Sequence, residues 1–415
     1  MLLYVMSEHP SISQTFVMTE ASAVQRLGLP VLGYALAAGS SPHSPTDVAF
    51  VGPPPSRWQL AYAGLRGLPS ILASLWRARN YRPSMRETLR LLLAEVHAAH
   101  VAAMPAAAAV THIHAHFLGR ASDVASAMAS RLECQWTATS HGADAYAPSE
   151  PALFRRRLDG VAGVACANAR VATALQKRRK DQSVVTRVVH CGVDLAALHF
   201  ASGQPEPQRR ENRLVTIGRL VPTKGHWTIL EASKALMDRD QTLRWTVIGG
   251  GPLFDALRAD PRARALQSRL EFIGPLDHGS ALKLLERARA FVLPCEEDPH
   301  GGSDGIPVAL MEAMALGVPV VTTPIGGIRE LVVDRDTGLF ARPTDAASVV
   351  RALEEILYEM DASTLDRLLW SARTKVEREF DATTEAAKLV EFLTELDPDL
   401  VRVPLLPLST SRSPP

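Results

Sequence analysis

The chain alternates short apolar runs with stretches whose apolar residues recur every three to four positions, and it does so in two successive blocks. Leu2 to Met6 predicts a strand, Ser13 to Leu27 a helix and Pro30 to Leu36 a second strand. After two arginine-rich helical stretches come Val110 to His116 (strand), Ala121 to Leu132 (helix), Trp136 to Ser140 (strand), Gly163 to Ala167 (strand), Ala169 to Arg179 (helix) and Val184 to Val189 (strand). The stretch HFASGQPEPQRREN, His199 to Asn212, has no periodicity and much proline, as a linker does. The alternation then restarts, with strands at Leu214 to Ile217, Trp245 to Ile248, Glu271 to Ile273, Ala290 to Leu293 and Val318 to Thr322. Asp345 to Met360, Leu365 to Phe380 and Thr383 to Leu396 read as terminal helices.

Strands separated by helices predict parallel sheets covered on both faces. The fold class is therefore α/β: two doubly wound units facing each other, with a ligand cleft at the C-terminal ends of their strands. The expected division is 1–198, a linker 199–212, a second unit 213–380, a helix 381–396 able to cross back to the first unit, and a disordered tail 397–415.

Composition narrows the function classes. A chain of 415 residues exceeds the size at which one core keeps growing. Its 45 basic and 44 acidic residues leave a formal charge of +1, so nothing calls for nucleic acid as a partner. Cys134, Cys166, Cys191 and Cys295 lie far apart with no CxxC, which argues for reduced thiols in a cytoplasmic protein. The N-terminus lacks a basic signal-peptide region, and no segment offers the roughly 20 apolar residues of a membrane span. Between Arg57 and Met104, however, Trp58, Leu60, Leu65, Leu68, Ile71, Leu72, Leu75 and Trp76 are interspersed with seven arginines. This pattern suits helices lying on an anionic membrane surface, and equally two domain helices whose arginines face water.

The densest chemistry lies in DGIPVALMEAMALGVPVVTTPIGGIRE, Asp304 to Glu330. A helix beginning near Pro307 places Glu312 five residues in, roughly 7.5 Å along the axis, with Asp304 ahead of it. So separated, the two carboxylates are better suited to hold two parts of an extended, hydroxyl-rich ligand than to share a proton. The helix N-terminal amides between them suit phosphate. In TIGRLVPTKGHWTIL, 216 to 230, Arg219 and Lys224 flank a turn at a strand's C-terminal end, where fixed positive charge would stabilise a leaving diphosphate. VIGGGPL, 247 to 253, puts Gly249, Gly250 and Gly251 after a strand. It lacks the spacing of a dinucleotide fingerprint, and its glycines suit close approach of backbone to a nucleotide.

His112, His114 and His116 alternate along one strand and share a face, but no companion acidic cluster marks a metal site. His141 follows a strand in SHGADAY, where Asp144 and Tyr146 organise the loop or face ligand. Ser11, Ser13 and Gln14 shape the first strand-to-helix loop, and Glu330 caps or braces the Gly326-Gly327 turn. Trp227 and Trp245 read as packing residues.

Taken together, GRLVPTKG, VIGGGPL, FIGPL, HCGVD (190 to 194) and the D-G-x-P…E-A-M-A-x-G-x-P-V-V-x-T…G-G element resemble glycosyltransferase family 4, retaining enzymes of GT-B fold. SEHPSISQTFVMTE, HIHAHFLGRASDVA and TSHGADAY resemble its colanic-acid, exopolysaccharide-type branch, so the likeness spans roughly residues 1–395. It implies two Rossmann-like domains and an E-x7-E pair on the donor, in which Glu312 takes the nucleoside ribose and Asp304, aspartate where the family has glutamate, the donor sugar. It further implies Arg219, Lys224, Gly305 and the amides near Val308, Ala309 and Leu310 on the diphosphate. Ser13, Gln14, His116, His141 and Asp144 would lie on the acceptor side, with His141, Arg219, Lys224 and Asp304 as the catalytic set.

The implied reaction moves a sugar from a UDP-, GDP- or ADP-sugar to a hydroxyl of a glycan or lipid-linked oligosaccharide, with retention and without metal or other cofactor. The departing phosphate itself helps accept the acceptor's proton. The implied setting is cytoplasmic, peripheral at the inner face of the plasma membrane if the arginine-rich helices bind it. A sugar-nucleotide 2-epimerase of the same architecture, and a non-catalytic sugar-nucleotide-binding subunit of a polysaccharide assembly complex, are the competing readings.

Overall fold

The computed structural model describes residues 1–9, 14–39, 47–52, 55–69, 71–72, 84–146, 154, 157–178, 184–200, 211–266, 268–298 and 305–402. The first block runs β1 (Leu2–His9), α1 (Thr15–Arg26), β2 (Val31–Ala38), β3 (Ala49–Phe50), α2 (Arg57–Arg66), α3 (Met85–Ala102), β4 (His112–His116), α4 (Arg120–Leu132), β5 (Gln135–Ser140), β6 (Gly163–Cys166), α5 (Ala169–Arg178) and β7 (Val185–Val188). The second runs β8 (Arg213–Ile217), α6 (His226–Arg239), β9 (Arg244–Ile248), β10 (Leu270–Gly274), α7 (His278–Glu286), β11 (Ala290–Leu293), α8 (Val308–Ala315), β12 (Val320–Thr322), β13 (Leu339–Phe340), α9 (Ala346–Glu354), α10 (Ala362–Glu379) and α11 (Ala382–Leu396).

The strands form two sheets, ordered β3-β2-β1-β4-β5-β6-β7 and β10-β9-β8-β11-β12-β13. Every strand pairing within them is parallel. Parallel strands buried on both faces read as nearly continuous apolar runs, and β1 shows why. Leu3 and Val5 join a core with α3 and α4, while Leu2, Tyr4 and Met6 join one with α1 and α11. The second sheet divides likewise: Val215 and Phe291 face α8 and α10, whereas Leu214 and Val292 face α6 and α9.

In each sheet the strand order reverses at one place, between β1 and β4 and between β8 and β11. The crevices outside the strand ends at those two places are where such sheets take ligands.

Helix α11 leaves the second sheet and packs on α1, with Leu389, Phe392 and Leu393 fully buried in the first unit's core. Each such side chain contributes about 1.5–3 kcal/mol. Gly192 makes the crossing possible: a Cβ there would lie 2.4 Å from the Ala382 Cα. Val193 bonds to Phe380 and Ala382 on either side of it.

Two expectations are corrected, and two short strands were not expected. The segment after the last helix does not begin as a disordered tail: Pro398–Arg402 is a 3-10 turn, Leu400 is buried, and Asp397 accepts from His112 at 2.9 Å. Trp227 is 36% exposed and is no core residue, unlike Trp245, whose buried indole donates to Thr216. The edge strands β3 and β13, each of two residues, carry too short an apolar run to be read from periodicity.

Candidate functional site

Arg219 and Lys224 lie on the loop leaving β8, beside one reversal point. Gly225, with φ of +68°, closes that loop, and a Cβ there would lie 1.9 Å from the Pro294 carbonyl oxygen. His226 donates from Nε2 to the Arg219 carbonyl at 3.0 Å, and burial pushes its pKa down to about 4, so it is a neutral brace. The Lys224 stem runs over Gly218, whose Cβ position is 3.7 Å from the lysine Cδ. Arg219 is exposed and Lys224 buried, so the two cations sit at different depths of one loop.

The glycine run acts differently from the sequence expectation. Gly249 has φ of +146° and its Cβ position is 1.9 Å from the Gly218 carbonyl oxygen; Gly251 has φ of +151° and meets Leu220 backbone at 2.6 Å. These two glycines admit the neighbouring loop of the protein itself, which also donates from Leu220 to the Gly250 carbonyl. They hold the Arg219 loop rather than provide open backbone for a ligand. Only Gly250 meets no backbone, its nearest neighbour being the Pro275 ring at 3.6 Å.

The second donor element follows β11, the other strand at the same reversal. Helix α8 starts at Val308 with Pro307 as N-cap and no side chain capping it. Leu310 N–H turns back to the Pro307 carbonyl, which leaves the Val308 and Ala309 amides at the open start of the helix, where the dipole favours an anion. Glu312 is buried and its Oε1 accepts from His278 Nε2 at 2.6 Å. That hydrogen bond raises the His278 pKa despite burial. Sequence reading missed His278, because nothing local links a residue at the start of α7 to one in α8. Asp304 lies outside the described residues.

On the opposite side, His141 follows β5 and is 8% exposed. Its ring is walled by Phe16 and Phe117, at centroid distances of 4.9 and 4.4 Å, and stacked on His116 at 5.3 Å. Asp144 organises the loop, accepting at Oδ1 from Ser140 Oγ and from the His141 and Gly142 amides, and at Oδ2 from Leu118 N–H. These four bonds hold the loop that carries His141. Gln14 precedes α1 without capping it; Ser11 and Ser13 lie outside the described residues.

The two sides meet. A Cβ on Gly305 would lie 2.6 Å from the His141 carbonyl oxygen, and one on Gly327 would lie 2.9 Å from the Asn168 side chain. Glu330 accepts from the Ala169 amide at 3.0 Å and from His190 Nε2 at 3.1 Å, so it spans the two halves rather than capping its own turn. Glu385 on α11 accepts from the His190 amide at 2.8 Å. Burial alone would lower the His190 pKa, but hydrogen bonds to Glu330 and Glu385 raise it to about 9. HCGVD therefore marks the place where both halves and the returning helix are tied together.

The alternating histidines do not act alike. His112 bonds Asp397 and Thr137, His114 bonds Thr137 and Thr139, and His116 bonds His141. Glu20, on α1, supplies the acidic neighbour that the sequence does not reveal, 3.4 Å from His116 Nε2.

Residues 200–367 match the family model described as glycosyl transferases group 1. The chain is a glycosyltransferase of GT-B fold. Over 412 residues, 94% of this chain and 98% of the relative, it is 27% identical to a proposed colanic acid biosynthesis glycosyltransferase of Salmonella typhimurium. It is 33% identical over 186 residues to the amylovoran biosynthesis glycosyltransferase of Erwinia amylovora, covering 44% of this chain and 45% of that one. Among solved structures, Anabaena HepE in complex with UDP-glucose superposes with a TM-score of 0.67 at 15% identity, over 95% of this chain and 99% of that one. Sucrose-phosphate synthase of Thermosynechococcus elongatus gives 0.67 at 18% identity, over 95% and 98%. These two likenesses establish the two-sheet architecture.

Proposed function

We propose that this glycosyltransferase moves a sugar, with retention of anomeric configuration and without a metal, from a nucleoside diphosphate sugar to a hydroxyl of a glycan or lipid-linked acceptor in exopolysaccharide biosynthesis. The observation that carries the reading is the meeting of Gly305 with the His141 carbonyl. It joins the loops after β8 and β11, which hold Arg219, Lys224 and the open start of α8, to the loop after β5 that holds His141. In this reading Glu312 takes the ribose, the amides of Val308 and Ala309 and the two cations take the diphosphate, and Asp304 takes the donor sugar. Arg219 and Lys224 then stabilise charge as it builds on the leaving diphosphate, so catalysis rests on positioning and electrostatics. Anabaena HepE in complex with UDP-glucose makes a uridine donor the first to try.

The acceptor side supports a lipid-linked partner. Helices α2 and α3 pack together yet leave Trp58 at 86%, Leu65 at 76% and Met85 at 89% exposure, with exposed Arg57, Arg66, Arg86 and Arg90 beside them. Between α3 and the start of α4 is a cavity of about 370 Å³ lined by Arg86, Arg90, Arg120, Leu89, Leu93 and His97 among others. Apolar walls with arginines suit an isoprenoid-like chain carrying phosphate, and the helix faces suit an anionic bilayer surface.

The test is turnover of a donor panel in excess EDTA, with product configuration read by proton NMR. The expected result is undiminished transfer that retains the donor's anomeric configuration. Strict metal dependence or inversion would contradict it.

A further inference from the structure

Behind His141 lies a string of buried polar side chains that the transfer reaction as described does not use. His141 Nε2 is 3.1 Å from His116 Nδ1, and His116 Nε2 is 3.4 Å from Glu20 Oε1. Tyr4 O–H donates to that same oxygen at 2.8 Å. At the other end, His141 Nδ1 is 3.5 Å from Cys191 Sγ. Tyr4, His116 and Glu20 are buried, contributed by β1, the end of β4 and α1. The string thus runs from the first reversal point to the loop that meets the second half.

One set of proton positions is consistent along the whole string. Burial pushes the Cys191 thiol well up, so the thiol keeps its proton and is able to donate to His141 Nδ1. Burial likewise holds His116 and His141 neutral, at about 3 and about 4. A neutral imidazole has one donor and one acceptor nitrogen, and the bond at one fixes the other. With Nδ1 accepting, His141 must carry its proton on Nε2 and donate to His116 Nδ1. His116 then carries its own proton on Nε2, which makes no hydrogen bond but lies 3.4 Å from the Glu20 carboxyl, whose negative charge favours a proton there. Every member points the same way, and Tyr4 closes the end by donating to Glu20.

We propose that Glu20 and His116 are positioning residues that lock His141 as the Nε2–H tautomer, so that the nitrogen it offers on its Cys191 side is an acceptor. In the reading of His141 as the residue beside the reacting sugar, a substrate hydroxyl that displaces the Cys191 thiol would donate its hydrogen bond to Nδ1. This consequence rests on the proposed function; the tautomer itself does not. Glu20 sits on α1 and His116 at the end of β4, 96 residues later, which explains why sequence spacing alone did not connect them.

The experiment is long-range proton–nitrogen correlation NMR of the full-length protein labelled with [15N]histidine at pH 7.5, His141 being assigned by loss of its signals in His141→Gln. The wild type is expected to show a protonated Nε2 and an unprotonated Nδ1 for His141. His116→Gln keeps an amide oxygen to accept from Nε2 and should preserve that pattern. His116→Phe fills the same space without an acceptor and should shift His141 toward the Nδ1–H form. A filling role alone would give the opposite ranking of the two variants. Glu20→Leu, which frees the far end of the string, is the second variant should His116→Phe not fold, and should likewise mix the His141 tautomers.

An Nδ1–H His141 in the wild type, or an unchanged pattern in both His116→Phe and Glu20→Leu, would overturn the proposal. So would a stoichiometric divalent cation in the purified protein that Glu20→Leu removes, since Glu20, His114 and His116 bring ligand atoms within 4.8 Å of one another and a metal would take the place of the His116 proton. Where a donor is turned over, His116→Phe should lower kcat roughly 10- to 100-fold, the scale seen when a metal-ligating histidine loses its outer partner, with KM for the donor little changed. Failure of every nucleotide sugar to react would strike the proposed function and leave the tautomer result standing.

Discussion

Glu312 is a buried carboxylate whose Oε1 is held by His278, a bond that fixes the side chain before any ligand arrives. If it takes the ribose, Glu312→Ala should weaken donor binding by roughly 10- to 100-fold, the range expected for a lost charge-assisted hydrogen bond. Titration calorimetry with the preferred donor would measure it. Lys224→Ala should act on turnover instead, lowering kcat by roughly 100-fold with a smaller effect on KM, because the cation matters most as charge builds on the leaving group. Equal kcat in wild type and variant would remove Lys224 from that role. At this scale the sequence was informative about residue type and poor about partners. Arg219, Lys224 and Glu312 could be placed at strand and helix ends from spacing along the chain, and His141 was singled out by the family likeness of SHGADAY. His278, Glu20 and the double tie of His190 to Glu330 and Glu385 were not legible, because each partner lies on an element distant in sequence.

The glycine loops and the returning helix decide the geometry at the scale of elements. Gly249→Ala would force a side chain into the Gly218 carbonyl at a backbone conformation that L residues rarely adopt. It should cost upward of about 2 kcal/mol and displace the Arg219 loop. Thermal denaturation should show the loss. The same melting temperature in the variant would mean that this loop packing is not what the glycines serve.

His190 ties the loop after β7 to both Glu330 and α11, and its raised pKa gives the tie a pH window. A histidine near pH 6.5 unfolded and about 9 folded contributes fully below about pH 6.5 and loses its contribution as pH rises through 9, roughly 3 kcal/mol in all. The stability gap between wild type and His190→Gln should therefore be widest at pH 6 and close by pH 10. A gap independent of pH would contradict that account. Strand and helix order was readable from periodicity because parallel strands buried on both faces leave continuous apolar runs. The return of α11 was expected only as something the helix could do, since its apolar stripe names no partner; Gly192, crowded by Ala382, is the residue that places it.

For the whole molecule, two parallel sheets whose strand-end loops meet at Gly305 and His141 agree with the family match and with the similar solved structures. The exposed face of α2 and α3 adds a prediction of its own. The protein should sediment with anionic vesicles at low salt and be released at high salt, while Trp58→Ala combined with Leu65→Ala should bind weakly at any salt. Absence of binding at low salt would remove the membrane from the account and leave the sugar transfer intact. The sequence showed the arginines and apolar residues of these helices but could not say whether the apolar face was covered, which only tertiary packing decides.

The central claim is that the cleft takes a nucleoside diphosphate sugar through Glu312 and the loops after β8 and β11. The measurement that tests it most directly is a thermal-shift titration of wild type and Glu312→Ala with UDP-, GDP- and ADP-sugars. A ligand present at 100 times its Kd stabilises the native state by about 2.7 kcal/mol. At least one sugar nucleotide should raise the wild-type melting temperature by several degrees and leave that of Glu312→Ala nearly unmoved. No shift with any of the three classes, or an equal shift in both proteins, would contradict the account.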